Sequence, residues 1–284
     1  MNRKSDIPIY DLDATAIQRF ELFNLTANDN LGRLSDVHRD NNYLLLFHES
    51  GISKAMVDFK EVVIDGAAVF CILPGQVHHA ISVINANMWV IAIESSLIKE
   101  TFRSDLMDFA IRGEVVRLDP TQAILFRDSF LLFSAFNEAF EIEPQDPVRR
   151  AMLDVCVNLF AKACRFDAQT SPEMLLRPGL ITRQFRGRLM LSFREMKSPA
   201  QYASALNISS SYLNEVVKST TGRSVSYWIQ QEIMMEAKRL LYYTNDTVKE
   251  IAVSLGYTDV AYFIRLFGKV TRESPLRFRE NSKS

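Results

Sequence analysis

The spacing of apolar and polar positions changes period twice along this 284-residue chain. Through residues 1–120 the apolar residues come in short runs bounded by turn formers. Tyr43–His48 is one such run, closed by Glu49-Ser50-Gly51. Ile52–Phe59 and Val62–Ile64 follow, and Asp65-Gly66 marks a turn. Val69–Leu73 stops at Pro74-Gly75, and Ile81–Ile84 and Met88–Ile93 complete the series. Short strands at regular spacing predict a small sandwich or barrel.

From 121 to 167 the period becomes helical. Leu125, Leu132, Phe136 and Phe140 fall on one stripe, and Met152, Val155, Leu159 and Ala163 on another. Glu143-Pro144-Gln145-Asp146-Pro147 separates the two, which predicts a helical hairpin. Its apolar faces suit either a core or a second copy of the chain. Residues 168–179 read as a linker. From Leu180 onward the pattern is helical throughout, beginning with Ile181, Phe185, Leu189 and Phe193. The expected fold is α+β: a barrel over 1–120, a helical hairpin over 121–167, a linker, and an all-α domain over 180–284.

The last hundred residues contain a duplication. Ser209–Val217 aligns with Asp259–Phe267 at an offset of 50 residues, pairing Tyr212 with Tyr262, Leu213 with Phe263 and Val217 with Phe267. Each copy reads as a short helix, a tight turn and a second helix. Ser198-Pro-Ala-Gln201 and Thr247-Val-Lys-Glu250 are capping boxes that start the first helices. Asn207 and Gly256 tolerate positive φ and end them. Ser209 and Asp259 cap the second helices, and Gly222 closes one of these. This is the helix-turn-helix layout, whose second helix enters the DNA major groove. The stretch Val225–Tyr243 between the copies predicts a helix about 28 Å long, at ~1.5 Å per residue. Readers that far apart suit successive major grooves, which recur every ~34 Å.

Charge supports this division. The formal net charge is only −1, yet residues 181–284 carry 16 Lys+Arg against 9 Asp+Glu, and the rest carries 17 against 25. The basic part is the one expected to meet a polyanion. Hydrophobic residues at 48% and charged residues at 24% exclude disorder and describe a globular chain. No apolar run approaches the ~20 residues that cross a bilayer, so no membrane partner is expected. The start, Met-Asn-Arg-Lys-Ser-Asp-Ile-Pro, has no apolar stretch behind its charges, and no signal peptide is expected. Cys71, Cys156 and Cys164 have no C-x-x-C spacing and suit a reduced cytoplasm.

At the duplicated residues the chain resembles the AraC-type transcription regulators. Ser198–Arg279 is similar to their double helix-turn-helix domain. The likeness is carried by Ile251-Ala252-x-x-Leu255-Gly256-Tyr257, Tyr262-Phe263-x-Arg265-x-Phe267-x-Lys269 and Ser274-Pro275-Leu276-x-Phe278-Arg279. The N-terminal part resembles the family's cupin-like sensor barrel more weakly, through His38-Arg39-Asp40-x-x-Tyr43 and Pro74-Gly75-Gln76-Val77-His78. Glu215, Val260, Ile264 and Arg272 depart from the family pattern; Arg272 stands where glycine usually ends the last reading helix. The resemblance implies a cytoplasmic transcription regulator, an activator, that forms a homodimer, answers a small-molecule effector and contacts RNA polymerase.

The outward early positions of each second helix are the base-reading candidates. In the first copy they are Ser210, Ser211, Asn214 and Glu215: Asn pairs with adenine, Ser reads either kind of base, and Glu either accepts from a cytosine amino group or repels phosphate. In the second they are Ala261, Ile264 and Arg265. Arg265 suits guanine, and the apolar pair suits a thymine methyl group. Lys218, Arg223 and Lys269 are the phosphate candidates, which fix register without reading sequence. Tyr212, Leu213, Phe263 and Phe267 are assigned to the core. Phe47, His48, His78 and Trp89 are the candidate effector-pocket residues.

Two other readings have different consequences. In one, the N-terminal part binds no ligand and only dimerises. In the other it is a cupin metalloenzyme. Against the enzyme, Leu44 falls where a metal-bearing cupin has Glu, leaving His38-Arg39-Asp40 and His78, with His48 and His79 nearby. A catalytic metal typically needs three protein ligands and an open position. On sequence grounds no catalytic residue, metal or cofactor is assigned.

Overall fold

A computed structural model describes residues 7–10, 12, 19–26, 32–98, 102, 106, 109, 110, 113–141, 146–167 and 177–282. The chain divides into two compact units, residues 8–169 and residues 170–284 with 1–7. Among the described residues no helix is long and apolar enough to cross a membrane.

The first unit is built on one mixed sheet. Its strands are β1 (Ile9–Tyr10), β2 (Phe20–Thr26), β3 (His38–Asp40), β4 (Tyr43–Val57), β5 (Lys60–Asp65), β6 (Ala68–Ile72), β7 (Val77–Ile93) and β8 (Val116–Arg117). A short helix, α1 (Gly32–Ser35), precedes β3. The path runs β1-β3-β7-β4-β6-β8, with β2 added on β7 and β5 on β4. This corrects the expected barrel: among the described residues the hydrogen-bonded path stays open. It ends in two-residue strands, β1 held by β3 and β8 held by β6.

Two pairs of expected strands fuse. Tyr43–His48 and Ile52–Phe59 belong mostly to β4, and Ile81–Ile84 and Met88–Ile93 both lie in β7. The interruption at Glu49-Ser50-Gly51 is a pair of register shifts inside the β4–β7 ladder. Gly51 has φ 82°, and a Cβ there would sit 2.3 Å from the Asn85 carbonyl oxygen. The break in hydrophobic pattern therefore bends a strand without ending it. The expected turns hold, with Gly66 at φ 75° and Gly75 at φ 80°.

Strand alternation divides the sheet's residues between two environments. Leu46, His48, Met88 and Val90 line a cavity. Phe47 and Trp89, the alternate residues, pack on helix α2 (Pro120–Ala139): Phe47 lies 5.3 Å from Phe126 and 5.7 Å from Phe130, and Trp89 lies 5.9 Å from Phe130. Helix α3 (Pro147–Asp167) adds Phe160, edge-on to Phe126 at 5.3 Å. Asp119 caps α2 through a capping box with Gln122.

The buried stripe of α2 is Phe126, Phe130 and Phe133; of the two uses expected for the Leu125–Leu132 stripe, core and contact with a second copy, it is not the core. Leu125, Leu132 and Phe140 are 54%, 61% and 60% exposed. Two apolar stripes run along this helix. The aromatic one fills the space over the sheet, and the aliphatic one faces outward. In α3, Leu153, Cys156, Val157, Phe160 and Cys164 are buried, whereas Val155 is exposed.

Among the described residues the second unit's regular elements are helices. Its helices are α4 (Arg177–Ser192), α5 (Pro199–Ala205), α6 (Ser210–Thr221), α7 (Val225–Tyr243), α8 (Val248–Ser254), α9 (Val260–Thr271) and α10 (Pro275–Ser282). Most of the expected linker lies outside the described residues, and residues 177–179 form the first turn of α4. Both capping boxes are present, Ser198 with Gln201 and Thr247 with Glu250. Caps of this kind contribute about 1 kcal/mol each. Ile229, Ile233, Ala237 and Leu241 bury one side of α7. Buried Glu236 on that helix pairs with Arg194, and its other oxygen accepts from Arg239 at 3.1 Å. Arg279 of α10 donates to the carbonyl oxygens of Leu241 at 2.9 Å and Asp246 at 2.6 Å. That clamps the chain's last helix to the end of α7 and the approach to α8.

Candidate nucleic-acid interface

The two helix-turn-helix pairs are α5–α6 and α8–α9. Each short helix ends in a left-handed residue, Asn207 at φ 55° and Gly256 at φ 81°. Each second helix starts on a side-chain cap: the Ser209 hydroxyl accepts from Tyr212 N at 3.2 Å, and Asp259 Oδ1 accepts from Tyr262 N at 2.9 Å. One face of each second helix is core. Leu213, Val216 and Val217 are buried in α6, and Phe263, Leu266 and Phe267 in α9. The core assignment of Leu213, Phe263 and Phe267 therefore matches the structure. Tyr212 is half-buried, while Tyr262 is 47% exposed.

The opposite face carries the candidate base readers. Ser210, Ser211 and Glu215 are exposed on α6, as are Ala261, Ile264 and Arg265 on α9. Among the described residues no hydrogen bond or ion pair engages Arg265. Asn214 is half-buried, and its Oδ1 accepts from Val225 N at 3.2 Å. That bond ties α6 to the first turn of α7, so Asn214 has a structural role that spacing did not indicate. Lys218, Arg223 and Lys269 are exposed, and the Arg223 guanidinium lies 5.1 Å from the Tyr227 ring centroid.

Several supporting contacts gave no sequence signal. The Thr182 and Thr220 hydroxyls meet at 2.7 Å, joining α4 to α6. Lys197 lies with its ammonium 5.3 Å from the Tyr257 ring centroid. Burial pushes its pKa down to about 8.

In the first unit the cavity holds about 270 Å³ and is lined mostly by apolar side chains. His48 and His78 line it, whereas Phe47 and Trp89 do not. His48 is already satisfied: its Nδ1 donates to the Gly66 carbonyl oxygen at 2.8 Å, and its Nε2 accepts from the Ser53 hydroxyl at 2.9 Å. Burial lowers its pKa. His38, Asp40 and His78 also line the cavity, with one donor atom from each within 4.8 Å of the others. The sequence reading assigns no metal; the strand register brings this set together.

Comparison with known proteins finds likeness within the second unit. Residues 202–281 match the helix-turn-helix domain family. The chain is 36% identical over 72 residues to the bifunctional transcriptional activator/DNA repair enzyme AdaA of Bacillus subtilis, covering 25% of this chain and 34% of that protein. It is 32% identical over 80 residues to the arabinose operon regulatory protein of Salmonella typhimurium, covering 28% of each. The match thus spans about a third or less of these relatives' own length. The crystal structure of ToxT from Vibrio cholerae aligns over 92% of this chain and 97% of its own, at 14% identity and TM-score 0.40.

Proposed function

We propose that the chain is a sequence-specific, double-stranded-DNA-binding regulator of transcription of AraC type, a reading supported by the helix-turn-helix match over residues 202–281 and the likeness to the arabinose operon regulatory protein. One observation carries the reading. Two like-built helices, α6 and α9, present equivalent exposed positions and are joined through the 19-residue helix α7. Ser210, Ser211, Asn214 and Glu215 read bases from α6, and Ala261, Ile264 and Arg265 from α9. Lys218, Arg223 and Lys269 hold phosphates. Asn214 reads with its amide nitrogen, since its oxygen is engaged within the fold. The chain is not an enzyme in this reading and works in the cytoplasm.

The exposed aliphatic stripe of α2, including Leu125 and Leu132, is the proposed contact with a second copy. The cavity of the first unit takes a small-molecule effector, and the bound state promotes activation through RNA polymerase. The alternative, a first unit that only dimerises, leaves a cavity of about 270 Å³ without a role.

The deciding experiment is selection of fragments from a random DNA library by the purified full-length protein. The expected product is a motif with two elements about one helical turn apart. Absence of enrichment with both the full chain and the 180–284 fragment, each shown to be folded, would overturn the reading. Enrichment by the fragment alone would point to an effector requirement.

A further inference from the structure

We infer that His38, Asp40 and His78 form a binding site for a divalent first-row transition-metal ion, with one imidazole nitrogen from each histidine and the aspartate carboxylate as ligands. Strand geometry sets the trio. His38 and Asp40 are two apart in β3 and so share a face. His38 is the direct partner of His78 in the antiparallel β3–β7 ladder, which puts their rings side by side with centroids 4.3 Å apart.

The hydrogen bonds then orient the donor atoms. His38 Nδ1 donates to the Asp36 carbonyl oxygen at 2.7 Å, and His78 Nδ1 donates to the Gln76 carbonyl oxygen at 3.0 Å. In its neutral form each ring thereby carries its proton on Nδ1 and its lone pair on Nε2. Backbone carbonyls holding the far nitrogen are the usual outer shell of a metal-binding histidine. Both Nε2 atoms face the same carboxylate oxygen: Asp40 Oδ2 lies 3.2 Å from His78 Nε2 and 3.9 Å from His38 Nε2. That oxygen is buried and makes no hydrogen bond among the described residues.

With both rings neutral, two lone pairs and an anionic oxygen converge, an arrangement that a metal cation completes; a charged His78 would instead donate to Asp40 Oδ2 at 3.2 Å. Donors each ~2.1 Å from a shared ion lie at most about 4.2 Å apart, and both distances to Asp40 Oδ2 meet that limit. Two imidazoles and one carboxylate suit zinc or iron(II) and leave coordination positions open. The three side chains line the mostly apolar cavity, so the open positions face a space where a small molecule fits. Metal uptake is read without DNA, and this inference stands independently of the DNA-reading proposal.

The test uses tag-free full-length protein, stripped with chelator and titrated with Zn²⁺ and with Co²⁺. The expected result is saturable uptake of one ion per chain. Cobalt should give visible ligand-field bands without the intense near-ultraviolet thiolate band that a cysteine ligand adds. Asp40→Asn and His78→Gln should each weaken binding by at least about tenfold, taking the smallest effect usual for outer-shell changes as a floor, while circular dichroism and melting show a folded chain. His48→Gln, at a ring whose nitrogens are both engaged elsewhere, should retain the site. No one-to-one uptake by the wild-type protein would overturn the inference. So would a thiolate signature, or wild-type affinity in folded Asp40→Asn. Were both ligand variants to misfold, the wild-type cobalt titration would still decide.

Discussion

Gly222 and Arg272 end equivalent helices fifty residues apart, and both are left-handed, at φ 72° and φ 70°. Each donates its backbone N–H four residues back, Gly222 to Lys218 and Arg272 to Gly268. The fold thus imposes the same closure on both copies, although only one has the residue that adopts it without a Cβ penalty. A left-handed non-glycine residue costs roughly 1–2 kcal/mol.

Arg272→Gly should therefore stabilise the protein. The gain is about 1 kcal/mol once the greater freedom of glycine in the unfolded chain is subtracted. Thermal melting should rise by roughly 2–4 °C. An unchanged or lower midpoint would show that the Arg272 side chain offsets its own strain.

Gly256 is more constrained than Gly222. Both have positive φ, but a Cβ on Gly256 would lie 2.5 Å from the Arg194 carbonyl oxygen, while one on Gly222 meets nothing within 4 Å. Gly222→Ala should cost about 1 kcal/mol, from backbone strain alone. Gly256→Ala should cost roughly twice that or more, because rigid backbone must also move. Denaturant midpoints of the two variants give the comparison, and equal losses would refute the close-approach argument.

Arg265 and Lys269 lie on the same helix and should separate by role. Arg265→Ala should lower affinity for the selected site by ~1–3 kcal/mol and relax the preference at one base position. Lys269→Ala should weaken binding to all sequences alike and reduce the slope of log affinity against log salt by about 1. Binding titrations on matched and single-substituted sites, at several salt concentrations, test both. Unaltered discrimination by Arg265→Ala would remove its base-reading role.

Lys197 makes stability depend on alkaline pH. Its ammonium is pushed down to about 8, chiefly by burial, with Arg194 contributing. In the unfolded chain it titrates near ~10.4. Between those values the unfolded state binds more protons, so this group's contribution to stability rises with pH from about 8 to about 10. Lys197→Met should remove that rise. Denaturation at pH 7, 8, 9 and 10 measures it, and an unaltered pH profile in the variant would assign the rise elsewhere.

What could be read from the amino-acid order alone was local. Capping boxes, left-handed turn residues and a duplicated 3.6-residue period place α5, α6, α8 and α9, because each signal needs only residues within a turn or two. The exposed faces of α6 and α9 follow from the same periodicity. The tertiary structure decided whatever depended on partners distant in sequence. It chose Phe126, Phe130 and Phe133 over Leu125 and Leu132 as the buried stripe of α2, since both have helical spacing and only the sheet selects between them. It turned Phe47 and Trp89 away from the cavity, because one-residue parity depends on the register of β4 against β7. It left the sheet open where regular strand spacing suggested closure. It also set His38 and Asp40 beside His78, which lies 38 residues beyond Asp40 in the chain. A His-x-Asp pair fixes a common face; only strand pairing supplies the third donor.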